Sequence, residues 1–246
     1  FKPIEVDKFK LTKKEEIKIE DLTSLPKEIK PEKLPVKGKL LLPRKIETET
    51  TKITVSGKVE KFMGASGEKA VVYEQMHYNM VEEHVKNLIN HGVIKLKEGK
   101  DPAKQITIIT RQYQKEFLKY QNWSNIEGNL WKLKIVGNPQ TTGTDKHASA
   151  MAVKAMELAK QKDVSLVFMD QGLRKASGVR VDSNIRPDTI SVVRSGKIDL
   201  YEIKSKSDRV DDLSKRIGAG RGALPPSMQG ETRVFEPKDV LKKKEQ

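Results

Sequence analysis

The segment RPDTISVVRSGKIDLYEIKSKSD, Arg186 to Asp208, places Asp188 behind a proline and, fourteen positions on, Glu202-Ile203-Lys204 inside an apolar run. It reads as two strands, DTISVV and KIDLYEIKSKS, joined at Arg194-Ser195-Gly196 with the glycine a hairpin turn favours. Side chains alternate along a strand, so Glu202 and Lys204 take one face with Leu200, and Ile203 takes the other. Asp188 opens the partner strand, which brings its carboxylate close to that of Glu202. Two close carboxylates repel, and a divalent cation relieves that cost. Mg²⁺ or Mn²⁺ suits such a place, held by Asp188, Glu202 and the backbone carbonyl of Ile203. The ion polarises a phosphoryl oxygen and acidifies its bound water. Lys204 holds that water or steadies the charge that grows on the phosphorus oxygens. The set suits metal-assisted phosphodiester hydrolysis. The competing reading is a surface hairpin with ion pairs among Asp199, Glu202, Lys204 and Arg194.

The elements that must position these residues follow from the pattern over 140–236. TDKHASAMAVKAMELAKQKD predicts a helix capped by Thr144 or Asp145, with Ala148, Met151, Ala152, Ala155, Leu158 and Ala159 on its buried side. VSLVFMD predicts a strand covered on both faces. After the loop QGLRKASGVRVDSNIRP and the two strands of the hairpin, DRVDDLSKRI predicts a short helix with Asp208 as N-cap. GAGRGALPPSMQGE predicts a loop, and TRVFEP a last strand. The order is helix, strand, strand, strand, helix, strand.

Pro187-Asp188 and Glu202-Ile203-Lys204, set in that order of elements, resemble the PD-(D/E)xK nuclease superfamily, whose core is a mixed sheet flanked by helices. Residues 143–236 also resemble the C-terminal toxin modules of bacterial polymorphic toxins, among them Rhs-type and contact-dependent inhibition proteins. The matching stretches are HASAMAVKAMELAKQ, VFMDQGLRKASG, RPDTISVVRSGKIDLYEIKSKSD and LSKRI. The resemblance implies an α/β (α+β), restriction-endonuclease-like core and a DNase-like effector. Such an effector is secreted or delivered into a competitor's cytoplasm by a larger parent protein and neutralised by a cognate immunity protein. An RNA-cleaving toxin on the same fold and a non-catalytic nucleic-acid-binding module are the alternatives. In such modules the lysine can sit two places later, which makes Lys206 a second candidate beside Lys204. The superfamily also implies a further acid on the first core helix. Glu157 is the candidate, with an exposed polar stripe through Lys154 and Gln161 as the competing explanation. His147, on the same helix, either touches a phosphate or packs. Arg186 contacts phosphate or pairs with Asp182 or Asp188. Lys206 and Arg209 follow the motif and are placed for backbone contacts.

Composition sets the frame. The 246 residues carry 48 Lys and Arg against 34 Asp and Glu, a net charge of +14. That excess points to a polyanionic partner, nucleic acid or an anionic surface, against the plain alternative of a solubilising lysine-rich surface. There are no cysteines, which excludes disulfides, thiol nucleophiles and Cys-type zinc sites. No apolar run approaches the ~18 residues a membrane-spanning helix needs.

Upstream, residues 1–55 hold five of the 11 prolines and read as an extended leader or linker, which also admits a structural part of a secretion or phage-like particle. Residues 56–136 read as a helix-rich accessory unit. KITVSGKVEKF, which straddles the boundary, predicts a strand or short hairpin, and GASGEKAVVYEQMHYNMVEEHVKNLINHG a long helix with Ser66 as N-cap, Gly92 as its stop, and an apolar stripe of Val72, Met76, Val81, Val85 and Leu88. His77, His84 and His91 recur every seven residues, about 10 Å apart along such a helix, too far for the i, i+4 spacing of a zinc pair. DPAKQITIITRQYQKEFLKYQNW predicts a strand and then a helix, and NLWKLKIVG a strand. Tyr113, Phe117, Tyr120, Trp123 and Trp131 interleave with lysines, a pattern that fits base stacking or simply a core. Residues 237–246 read as a charged tail.

Overall fold

The structure is a computed structural model, and it describes residues 67–121, 126–140, 145–180 and 185–242. The expected leader over 1–55, the expected strand or short hairpin KITVSGKVEKF, and Ser66, Trp123, Thr144 and Asp182 lie outside them. All described residues belong to one compact unit.

Helix α1 spans Gly67–Asn90 and stops where Gly92 takes φ +71°, as a left-handed position favours glycine. Val81, Val85 and Leu88 of the expected apolar stripe point inward, joined by His77 and His84, whereas Val72 is 50% exposed. Helix α2 occupies all of Pro102–Leu118, including the Ile106–Thr110 run that suggested a strand. Asp101 overrides that β-branched run by capping the helix, accepting from the amides of Ala103 (2.9 Å) and Lys104 (3.5 Å). Pro102 fills the first turn, where its missing N–H costs nothing. A 3-10 turn, Leu130–Lys134, takes most of the strand expected over NLWKLKIVG and leaves a short β1, Ile135–Gly137.

The remaining elements are α3 (Asp145–Lys160), β2 (Val164–Met169), α4 (Leu173–Ser177), β3 (Thr189–Val193), β4 (Ile198–Ile203), α5 (Val210–Gly222), β5 (Gln229–Phe235) and α6 (Pro237–Lys242). The five strands form one mixed sheet in the order β1-β2-β3-β4-β5. β1 runs parallel to β2, β2 and β3 and then β3 and β4 are antiparallel, and β5 runs parallel to β4. The two parallel pairs require crossovers, which α3 and α5 supply. Gly196 (φ +85°) makes the turn between β3 and β4.

Helices cover both faces of the sheet. Val81, Val85 and Leu88 of α1, Ile109 and Phe117 of α2 and Ile217 of α5 pack with Leu166, Phe168, Ile190, Val192 and Leu200 on one face. Met151, Ala155, Leu158 and Ala159 of α3 and Val240 of α6 pack with Val167, Met169, Tyr201 and Ile203 on the other. This corrects two boundaries. The helices expected to form a separate accessory unit within 56–136 share one core with the sheet of 140–236. The first part of the expected charged tail is helix α6, anchored by buried Val240. Among the described residues no helix is long and apolar enough to cross a membrane.

Candidate active site

The hairpin register pairs Thr189 with Tyr201, so Asp188, one residue before β3, stands against Glu202. Both are buried, Asp188 with 4% of its surface exposed and Glu202 with none. Asp188 is fixed from three directions. Its carbonyl accepts the amide of Asp170 at 3.0 Å. Its Oδ2 accepts the amide of Ile203 at 2.7 Å and lies 3.2 Å from Nε2 of His147. Ile203 therefore enters the site through its N–H while its side chain packs in the core. Burial leaves His147 with no other polar partner, because its Nδ1 makes no hydrogen bond among the described residues. The contact with Asp188 thus needs Nε2 to carry the proton.

Glu202 shares the face of Leu200, as strand alternation requires, and that face looks at α5. Arg216 of α5 reaches it with Nε 3.1 Å from Oε1 and Nη2 2.7 Å from Oε2. The second contact is an ion pair without hydrogen-bond geometry, since Oε2 is buried and makes no hydrogen bond. Burial first, and the Asp188 charge second, push the Glu202 carboxyl up to about 8, and Arg216 opposes both. A buried pair of acids with one guanidinium, on Glu202, is electrostatically short of positive charge.

The other expected residues lie around this pair. Lys204 follows the end of β4, its amide donating to the Phe235 carbonyl (2.8 Å) and its Nζ 3.7 Å from Oε1 of Glu236. Lys206 was expected on the same strand face as Lys204. The strand stops at Ile203 instead, and Lys206 stands exposed in the turn beyond. That turn is closed by Asp208, which accepts from the Ser205 amide (2.9 Å) and hydroxyl (2.6 Å). Asp208 is thus not the N-cap of α5. Arg209 occupies that position, exposed and without a side-chain capping bond. Arg186 binds the carbonyl and carboxylate of Asp170 at 2.8 Å and does not pair with Asp188, while Asp182 lies outside the described residues. Glu157 lies 3.3 Å from Lys154. It sits ten residues beyond His147, about 15 Å along the helix axis, so α3 does not bring it to the acid pair. His147, for which packing alone was an open alternative, touches Asp188.

The surface-hairpin reading fails on the same geometry. Arg194 pairs with Glu83 of α1 at 2.7 Å, and Asp199 accepts from Ser191 (3.1 Å) and the Glu231 amide (2.8 Å). Neither forms an ion pair across the hairpin, and both faces of the hairpin are covered.

Arg216 is the residue that sequence reasoning missed. Its signal is a cation one position before buried Ile217 and three after buried Leu213, on the first helix after the Glu-Ile-Lys strand.

The donor set fits a divalent cation. Two hard carboxylates, one with a buried oxygen that makes no hydrogen bond, are what Mg²⁺ takes when waters complete its shell. Among the described residues no group of three or more His, Asp or Glu forms a ready-made cage. Asp188 and Glu202 would be the protein ligands, with the Ile203 carbonyl as the backbone candidate.

No family model, curated protein or solved structure matches this chain. What the fold and site define is a mixed α/β protein: a five-stranded mixed sheet flanked by helices, with a buried acid pair where β3 begins and β4 ends.

Proposed function

We propose that this chain is a metal-dependent nuclease that hydrolyses phosphodiester bonds in DNA, built on a restriction-endonuclease-like core. The observation that carries the reading is the buried Asp188–Glu202 pair, set side by side by the hairpin register, with Glu202 held by Arg216 and Asp188 by the Ile203 amide and His147. A fully buried carboxyl beside a second acid is costly to keep in a structural role, and perturbed acids of this kind cluster at functional sites. The order helix, three strands, helix, strand across α3, β2, β3, β4, α5 and β5 supports it, as does the net charge of +14.

In this reading Mg²⁺ or Mn²⁺, when bound, supplies Lewis acidity at the phosphate and an acidified water. Asp188 and Glu202 would hold the ion, and the Ile203 amide and His147 fix the Asp188 carboxylate in place. Lys204 is the lysine for the attacking water or the developing phosphate charge. It is half-buried at the strand end, whereas Lys206 has left the sheet. Arg186, Lys206 and Arg209, all exposed, contribute backbone contacts. The resemblance of residues 143–236 to toxin modules extends the proposal to an effector carried by a larger parent, acting inside a competitor cell and matched by an immunity protein.

Expression in a bacterium tests this reading. Wild type is expected to stop growth and degrade chromosomal DNA, and Glu202→Gln to do neither. Growth arrest with intact DNA and cleaved RNA would move the assignment to RNA, and normal growth under both would remove the toxin reading.

A further inference from the structure

Arg216 is half in the site and half out of it. Nε and Nη2 face the two oxygens of Glu202, yet 51% of the side chain is exposed while that of Glu202 is 1% exposed. A guanidinium offers five donors in a planar fork, and Nη1 makes no hydrogen bond among the described residues. Half of this side chain is therefore open to solvent beside the buried Glu202 carboxylate.

Charge and geometry decide what that edge is for. A cation on Oε2 would meet Nη2, which lies 2.7 Å from that oxygen, and two positive groups on one oxygen repel, so the guanidinium would shift off Oε2 as an ion binds there. The formal charges then sum in an informative way. With Lys204 offset by Glu236 at 3.7 Å, two carboxylates, one guanidinium and one divalent cation leave one surplus positive charge, and a single phosphodiester cancels it. A planar fork with a free edge beside that position matches the non-bridging oxygens of a phosphate, the group arginine recognises best.

From this, and resting on the nuclease reading above, we infer that Arg216 is a phosphate-positioning residue with two stations. In the free protein it holds Glu202. Once an ion occupies Glu202, its guanidinium passes to the scissile phosphodiester and fixes it against the acid pair. Substrate binding and ion binding are thereby coupled through one side chain of α5.

The full chain tests this with Arg216→Gln and Arg216→Lys, each first shown to melt cooperatively. Mn²⁺ binding is measured by paramagnetic resonance without nucleic acid. Binding of a short DNA duplex is measured in Ca²⁺ across a salt series. Arg216→Gln is expected to bind Mn²⁺ at least as well as wild type. It should lose about tenfold in duplex affinity, with a log–log salt slope smaller by about one. Arg216→Lys is expected to regain the slope but to cut at least about tenfold more slowly, because a point charge does not replace a fork. Unchanged duplex affinity and slope in Arg216→Gln, or wild-type cutting by Arg216→Lys, overturns the inference, as does loss of Mn²⁺ binding in Arg216→Gln. If Arg216→Gln does not fold, Arg216→Lys decides by the same cutting rate. A wild type that neither binds Mn²⁺ nor cuts overturns the nuclease reading itself, and the inference with it. That result is distinct from defects confined to the variants.

Discussion

At the residue scale, the acid pair and its supports come from different distances in sequence, and that decides what could be read. Asp188 and Glu202 are fourteen residues apart on one hairpin, and a period of two with one turn suffices to join them. His147 and Arg216 reach the same pair from helices that precede and follow the hairpin, and only the packing of α3 and α5 brings them there. Glu157 shows the converse: it lies on the expected helix but about 15 Å along it from the residue that touches Asp188. Removing His147 leaves Asp188 Oδ2 with the Ile203 amide alone. His147→Ala is therefore expected to cost about 1–3 kcal/mol of stability, from a lost hydrogen bond to a charged group plus a small cavity. Chemical denaturation measures this, and a change below about 0.5 kcal/mol would show that the contact does not hold Asp188. Lys204→Ala is expected to abolish cleavage with the melting temperature nearly unchanged. Its only described ion pair is the loose 3.7 Å contact with Glu236, and such partly exposed pairs contribute little.

At the element scale, α1 and α2 were legible as helical in part, and the error has a physical cause. Ile106–Thr110 favours a strand when read locally. The cap at Asp101 and the burial of Gln105, Ile109 and Phe117 on one side favour a helix, and tertiary packing decides. The histidines of α1 carry a consequence that spacing alone does not reveal. His77 and His84 are fully buried, and none of their four ring nitrogens has a partner among the described residues. His84 sits among the rings of Tyr113, Phe117 and Phe168 at 6.1 to 6.3 Å. Burial lowers each histidine from 6.5 to about 4. With the folded value below the unfolded one, the unfolded chain binds more protons between the two. The stability these groups contribute is full above pH 6.5 and is lost as pH falls from 6.5 through about 4, at most about 3 kcal/mol for each. Denaturant midpoints measured from pH 7 to pH 4 are expected to fall across this window, and to fall less in His84→Phe. A flat profile would show that the rings gain polar partners.

At the scale of the whole molecule, the fold class was legible because the order of elements over 140–236 follows from local patterns. The domain division was not. The proposed boundary between 136 and 140 separates β1 from the sheet it belongs to, since a three-residue strand leaves little periodicity to read. The face of β2 and β3 that carries Leu166, Phe168, Ile190 and Val192 is covered by α1 and α2. A fragment that starts at residue 140 would expose that face and is expected not to fold on its own. Circular dichroism and amide dispersion of the fragment check this, and a cooperative melt would restore the accessory-unit reading.

The role proposed for the buried acid pair is that of a metal-dependent nuclease site. The direct measurement is cleavage of plasmid DNA by the purified chain with Mg²⁺, with Mn²⁺ and with chelator, comparing wild type with Glu202→Gln. Wild type is expected to cleave only when the ion is present, and the variant, with a melting temperature close to wild type, not at all. Equal cleavage by the folded variant, or cleavage that persists in chelator, would contradict it.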